Sequence, residues 1–80
     1  MASMMANLVE YVAKALVDEP EQVRVTEREE NGRIIIELDV AEGDLGKVIG
    51  RDGRIANALR SLTKVAAIRE DVRVSLEIGR

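Results

Sequence analysis

The segment Gly46-Lys47-Val48-Ile49-Gly50-Arg51-Asp52-Gly53-Arg54 is the most informative part of this 80-residue chain. It places Gly50 and Gly53 three positions apart, with aliphatic residues before them and a helical pattern after them. Two glycines at this spacing let the backbone turn sharply and approach another molecule closely. The helix that follows offers free N–H groups and the positive end of its dipole, which suit a phosphate. Because Arg51 and Arg54 add positive charge, the segment predicts a clamp on a nucleic-acid backbone.

Length and composition restrict the class of protein. Eighty residues make one small domain, whose core is marginal unless something adds to it. The chain has no cysteine, so a partner subunit is a better source of extra burial than a disulfide or a thiolate metal site. No apolar run is long enough to span a membrane and no signal-peptide pattern is present, which predicts a cytoplasmic protein. We place the domain at residues 5–80 and expect residues 1–4 to be an added or disordered N-terminal extension.

Most chemical groups that enzymes use are missing. There is no histidine or cysteine, which removes most general bases and nucleophiles and leaves the serines without a histidine partner. Gly46-Lys47 lacks the spacing of a phosphate-binding P-loop. We therefore predict no enzymatic activity, no cofactor and no metal site. Since the only aromatic residue is Tyr11, RNA-binding modules that stack bases on aromatic rings are also disfavoured.

Charge is distributed unevenly along the chain. The net charge of −3 is unusual for a nucleic-acid binder. Residues 1–42, however, contain four basic and ten acidic residues, whereas residues 43–64 contain five basic and two acidic ones. The positive charge is thus concentrated on and around the glycine loop. The acidic remainder predicts modest, salt-sensitive affinity for nucleic acid.

Hydrophobic periodicity predicts six elements in the order α-β-β-α-α-β. Pro20 ends the first helix, and Asn31-Gly32 is a strong hairpin signal between the first two strands. The predicted ranges are helix 5–17, strands 22–29 and 34–40, helices 44–49 and 54–68, and strand 71–78.

The long third helix has two apolar flanks. The predicted buried stripe consists of Ile55, Ala58, Leu59, Leu62 and Val65. The second flank, at Ala56, Thr63 and Ala67, is predicted to be free to meet a partner. Arg60 and Lys64 are interpreted as a solvated face, with an RNA or partner contact as the alternative.

The element order, with Val48-Ile49-Gly50-Arg51-Asp52-Gly53 between the second and third helices, resembles the type II KH domain of bacteria. The resemblance covers Met5 to Ile78, and the most similar family is that of the small stand-alone KH proteins called KhpA. It implies an α+β fold, with three helices on one face of a three-stranded sheet. Further matching stretches are Leu8-Val9-Glu10-Tyr11, Ala15-Leu16-Val17-Asp18 with Pro20, and Gly53-Arg54-Ile55-Ala56-Asn57-Ala58-Leu59-Arg60.

The resemblance also implies a function. The family members bind single-stranded RNA as RNA chaperones or post-transcriptional regulators, form homodimers, and pair with a larger Jag-type KH protein, KhpB. They are linked to cell elongation and cell-wall regulation.

By the same resemblance, about four nucleotides lie across the loop and an adjacent groove. Backbone N–H groups of the loop would meet phosphates, basic side chains would add charge, and isoleucines with an aliphatic residue of a nearby strand would floor the groove. The implied RNA-binding residues are Lys47, Ile49, Gly50, Arg51, Asp52, Gly53, Arg54 and Ile55.

Two departures from the family pattern predict weak, sequence-tolerant binding. Asp52 puts a carboxylate inside the phosphate clamp, and Ala56 replaces a larger aliphatic residue beside the groove. Three alternative interpretations stay open. In the first, the glycine loop is only a tight turn between two helices. In the second, the domain is a dimerisation module that contributes to RNA binding only with a larger KH partner, and in the third, the bound single strand is DNA.

Overall fold

The computed structural model describes residues 3–79 as three helices and a three-stranded sheet. The predicted element order is confirmed, with boundaries that differ by one or two residues. Such differences are usual where helices and strands fray. The elements are α1 (Met4–Leu16), β1 (Arg24–Glu30), β2 (Arg33–Asp39), α2 (Leu45–Ile49), α3 (Arg54–Arg69) and β3 (Arg73–Ile78), with 3₁₀ turns at Pro20–Gln22, Glu42–Asp44 and Arg51–Gly53.

Helix α1 begins one residue earlier than predicted. The hydroxyl of Ser3 accepts a hydrogen bond from the Ala6 N–H at 3.1 Å, which caps the helix and brings Met4 into its first turn. The expectation of an N-terminal extension covered residues 1–4. Met1 and Ala2 lie outside the described residues, whereas Ser3 and Met4 form the start of α1.

The sheet has the strand order β1-β2-β3. Asn31 and Gly32, with φ angles of 53° and 79°, form the two-residue turn between antiparallel β1 and β2. Strand β3 runs parallel to β2, and α2, the glycine loop and α3 make the crossover between them. Among residues 3–79, β3 pairs only with β2, so its other edge is open.

The three helices cover one face of the sheet, as predicted. The core joins side chains from every layer, and its largest fully buried members include Met5 and Val9 of α1, Ile36 and Leu38 of β2, and Leu59 of α3. Burial of these side chains is the main stabilising term of the fold. Across residues 3–79, the helices are all too short or too polar to cross a membrane.

The buried side of α3 differs from the prediction. Leu59 is buried as predicted, but Leu62 and Val65 are 48% and 57% exposed, so the predicted stripe is wrong at these two positions. The observed buried side is rotated from the predicted one by about one residue, roughly 100°. Three of the four residues on the buried side have small side chains, which fit where a helix packs against other elements. The hydroxyl of Thr63 is satisfied because it donates to the Arg60 carbonyl at 2.9 Å. Close packing thus outweighs hydrophobicity in setting the helix orientation. The residues that face the core are Ala56, Leu59, Thr63 and Ala67.

Candidate nucleic-acid interface

The glycine loop is built from three left-handed residues. The φ angles of Gly50, Asp52 and Gly53 are 78°, 57° and 74°. A Cβ atom at Gly50 would lie 2.7 Å from Cγ1 and 2.9 Å from the backbone N of Ile55. Position 50 therefore requires glycine for both conformation and space. Asp52 accepts the left-handed conformation because its short polar side chain tolerates it.

Two of the four loop N–H groups have no hydrogen-bond partner in the described part of the chain. The Gly50 N–H donates to the Gly46 carbonyl at 2.9 Å, and the Gly53 N–H donates to the Gly50 carbonyl at 3.1 Å. Among residues 3–79, nothing accepts a hydrogen bond from the N–H of Arg51 or Asp52. The first turn of α3 directly after them has no side-chain cap and no acidic residue. These donors suit an anion.

The cations of the loop fall into two groups. Arg51 and Arg54 are exposed and form no ion pair within the described part of the chain. By contrast, the ammonium of Lys47 lies 3.3 Å from the Asp18 carboxylate and 3.6 Å from that of Asp44. The hydrogen bond to Asp18 is the largest of the causes that raise the pKa of Lys47. Lys47 is thus the predicted site residue whose ammonium group already has carboxylate partners.

Asp44 holds α2, and with it the entry to the loop, against the end of α1. Its carboxylate is only 3% exposed and accepts hydrogen bonds from the N–H groups of Asp18 (3.2 Å) and Glu19 (3.0 Å). Burial acts to raise the pKa of Asp44, but the two backbone donors and Lys47 outweigh it and leave the pKa lowered. The charged form of this carboxylate therefore supports the folded state.

The two predicted groove isoleucines lie on either side of the loop. Ile49 ends α2 and Ile55 lies in the first turn of α3, and both are half-buried. Ile55 packs against the core and against Gly50. Each leaves part of its aliphatic surface available next to the loop.

A groove lies between α3 and the open edge of β3. It contains a hollow of about 270 Å³ with Arg60 and Lys64 on the helix side and Val74, Ser75 and Leu76 on the strand side. The Nε of Arg60 donates to the Leu76 carbonyl at 3.4 Å. The strand that borders the groove, which the sequence did not specify, is thus β3.

Arg60 and Lys64 are exposed, as the solvated face predicted from sequence requires, and they also line this groove. They follow Gly53 by seven and eleven residues, about two and three helical turns, so they lie on the same side of α3 as the end of the loop. That spacing was the signal in the sequence. Within the described residues neither cation forms an ion pair.

Comparisons with known proteins agree with this architecture. Residues 6–78 match the family model described as "KhpA/KhpB, KH domain". A protein of Caldanaerobacter subterraneus named RNA-binding protein KhpA is 55% identical over 74 residues, which cover 92% of this chain and 99% of the relative. Proteins of the same name from Clostridium perfringens and Treponema pallidum are 53% and 47% identical, covering 92% and 98% of this chain and 99% and 98% of their own lengths.

Solved structures share the fold at low sequence identity. Era of Aquifex aeolicus, bound to GDP·AlF4⁻, aligns with a TM-score of 0.62 and 20% identity over 95% of this chain. Era in complex with MgGDPNP and nucleotides 1506–1542 of 16S ribosomal RNA gives the same TM-score at 21% identity over 94% of this chain. This chain spans 29% of either Era chain, so the likeness concerns the fold of one domain. With the family model matched over residues 6–78 and relatives about half identical along nearly their full length, the chain belongs to the KhpA/KhpB KH-domain family.

Proposed function

We propose that this protein binds single-stranded RNA through the glycine loop and the groove between α3 and β3. One observation carries the proposal: the free N–H groups of Arg51 and Asp52 lie at the uncapped start of α3, from which the unpaired cations Arg60 and Lys64 extend along one groove. A backbone clamp followed by a basic groove is suited to a strand whose phosphates and bases are both accessible. The relatives named RNA-binding protein KhpA support it.

The proposed contacts divide by chemistry. Phosphates bind the loop N–H groups, Arg51 and Arg54, while bases rest on Ile49 and Ile55. The half-buried Val74, which lines the groove, extends this floor along β3. With no aromatic platform, selectivity among bases is low, and the exposed carboxylate of Asp52 keeps affinity modest.

Fluorescence anisotropy with a labelled short single-stranded RNA, at low and moderate salt, tests the clamp. The Arg51→Asp variant makes the loop carry two adjacent carboxylates where the phosphate binds, and we expect it to abolish detectable binding. Arg24→Asp is the matched control, because it makes the same charge change on exposed β1 at the opposite edge of the sheet. Circular dichroism checks that both variants are folded.

Three outcomes have distinct meanings. Loss of binding in Arg51→Asp with retention in Arg24→Asp supports the clamp. Equal binding by both variants would mean that RNA contacts a surface other than the loop. Absence of binding by the unaltered chain overturns the proposed function. DNA of the same sequence in parallel wells tests whether the 2′-hydroxyl matters.

A second candidate function is pairing with another KH domain through the outer flank of α3. Leu62 and Val65 expose about half of their surfaces next to Ala58, which is also exposed. An apolar flank of this kind is unfavourable in water unless a partner covers it. A second copy of this chain, or a larger KH protein such as KhpB, is the partner that the family resemblance supports.

Sedimentation velocity tests the pairing. We expect a homodimer that Leu62→Asp dissociates and that Arg51→Asp leaves intact, since Arg51 lies at the loop. A monomer at all concentrations, with no association on adding KhpB, overturns this second function. The cellular role that accompanies both functions is that of a cytoplasmic RNA chaperone or post-transcriptional regulator with effects on cell elongation and cell-wall regulation.

A further inference from the structure

A second hollow adjoins the groove at the end far from the loop. It also has a volume of about 270 Å³, and it shares Lys64 and Val74 with the first hollow. Two further cations, Arg33 and Arg73, line it. The groove therefore continues past Lys64 to the start of β3.

Arg33 and Arg73 are placed where their charges repel. They are directly opposite each other in the parallel pairing of β2 with β3, a position in which like charges destabilise a sheet. Neither forms an ion pair within residues 3–79. Glu30 lies opposite Arg33 on β1, but its carboxylate is paired with Arg28 at 2.9 Å.

The side chain of Arg33 is held in position over β3. Its Nη1 donates to the hydroxyl of Ser75 at 3.1 Å, and Ser75 itself lines the first hollow. The described residues that line the second hollow include three cations and no carboxylate, in a chain with 15 acidic and 12 basic residues. The electrostatic repulsion among these cations falls when an anion binds between them.

The floor of this hollow is apolar. Ile68, which is 71% exposed, lies on it with Ala67, Val72 and Val74. A bare phosphate obtains no favourable binding free energy from an apolar surface, whereas the flat face of a nucleobase buries apolar area against it. Cations around an aliphatic floor thus match a nucleotide better than an isolated anion.

We propose that this hollow is an additional nucleotide subsite, in which Arg33, Lys64 and Arg73 bind a phosphate and Ile68 supports the attached base. The inference rests on the proposed RNA-binding function and lengthens its footprint beyond the about four nucleotides that a glycine loop clamps. Continuity with the groove through Lys64 favours the same strand of RNA over an acidic peptide.

The test compares a tetranucleotide with an octanucleotide of single-stranded RNA, using fluorescence anisotropy with the full chain. The double variant Arg33→Gln/Arg73→Gln removes the two cations that belong only to the second hollow. We expect roughly tenfold weaker binding of the octanucleotide and a dependence of log Kd on log salt that is shallower by about one to one and a half. Binding of the tetranucleotide is expected to be unchanged.

The double variant Lys14→Gln/Arg24→Gln is the matched control, because it removes two exposed charges from α1 and β1 and neither residue lines the groove. Thermal unfolding checks that both double variants fold. Equal octanucleotide affinity of the Arg33→Gln/Arg73→Gln variant and the unaltered chain overturns the subsite while the clamp stands. Failure of the unaltered chain to bind either RNA overturns both proposals. Displacement of the octanucleotide from the second hollow by oligoglutamate of equal charge overturns the nucleotide assignment in favour of an acidic peptide.

Discussion

At the scale of single residues, Gly50 and Asp52 set the shape and the charge of the loop. Gly50 has φ 78° and ψ 170°, a region that is almost closed to other residues. Its absent Cβ leaves room for Ile55, which anchors the start of α3. Asp52 instead places a carboxylate beside the free N–H groups. The loop thus combines a conformation suited to phosphate with a charge that opposes it.

Alanine substitution of two nearby glycines is expected to have opposite effects. Gly50→Ala should reduce the free energy of unfolding by about 1–3 kcal/mol because of the left-handed conformation and the contact with Ile55. Gly46 lies inside α2 with open space around its Cα, so Gly46→Ala should increase it by about 0.5–1 kcal/mol. Urea denaturation measures both. Equal effects at the two positions would contradict the loop geometry.

Asp52→Asn is expected to strengthen RNA binding. Asparagine tolerates the left-handed conformation as aspartate does, so the turn is kept while one negative charge leaves the clamp. We expect roughly threefold tighter binding at low salt, with the gain fading as salt screens the charges. Anisotropy titrations at two salt concentrations measure this. Weaker binding by the variant would mean that the carboxylate itself contacts RNA.

At the scale of elements, the placement of α2 and α3 determines the site. Asp44 fastens α2 to the end of α1 through two backbone N–H groups. Close packing of Ala56 and Ala67 orients α3 so that Arg60 and Lys64 border β3. The groove is therefore a consequence of which side of α3 is buried.

The stability effects of alanine substitutions at two leucines of α3 test which side of the helix is buried. Leu59→Ala is expected to cost about 2–5 kcal/mol of stability, because Leu59 is 2% exposed in the core. Leu62→Ala should change stability by no more than about 0.5 kcal/mol in dilute protein, because Leu62 is 48% exposed. Chemical denaturation at low protein concentration measures both. A similar loss of stability in both variants would mean that Leu62 is buried, as the sequence predicted.

The attachment of α2 is expected to weaken in acid. The pKa of Asp44 is lowered in the folded state from an ordinary value of 3.8, so its contribution is present above that pH and is lost as pH falls through the folded pKa. The stability difference between the unaltered chain and Asp44→Asn should be constant near neutral pH and shrink below about pH 4. Thermal unfolding across pH measures the difference. A difference that grows in acid would reverse the assigned sign.

At the scale of the whole molecule, the chain separates its charges. Cations without a carboxylate partner among residues 3–79 lie at the loop and along the groove. They are Arg51 and Arg54 at the loop, Arg60 and Lys64 beside β3, and Arg33 and Arg73 at the far end of the groove. Acidic residues dominate the first half of the chain, where Lys14 and Arg28 are paired to carboxylates. Lys47, in the basic segment, is paired with Asp18 of the first half. A protein of net charge −3 thus has a local concentration of positive charge, which is the surface that we propose for RNA.

RNA affinity is therefore expected to fall as salt concentration rises, although the net charge of the protein is negative. With four cations on phosphates of a short strand, the slope of log affinity against log salt should be roughly −2 to −3. Anisotropy at several salt concentrations gives the slope. A slope near zero would show that these cations do not contact phosphates.

The local pattern of the sequence determined the elements and the loop. Alternation, helical spacing, Asn31-Gly32 and the two loop glycines act over a few residues, so they specify strands, helices and turns without reference to the rest of the chain. The type II KH order and the loop residues therefore follow from the sequence by itself.

Only the tertiary structure decided which side of α3 is buried, which strand borders the groove, and which cations are unpaired. Hydrophobicity favoured Leu62 and Val65 as core, but close packing buried Ala56, Thr63 and Ala67 instead. Lys47 is paired because Asp18, far away in sequence, lies beside it, while Arg33 reaches the groove because β2 and β3 are neighbours. These features depend on contacts between distant parts of the chain, which short-range patterns do not encode.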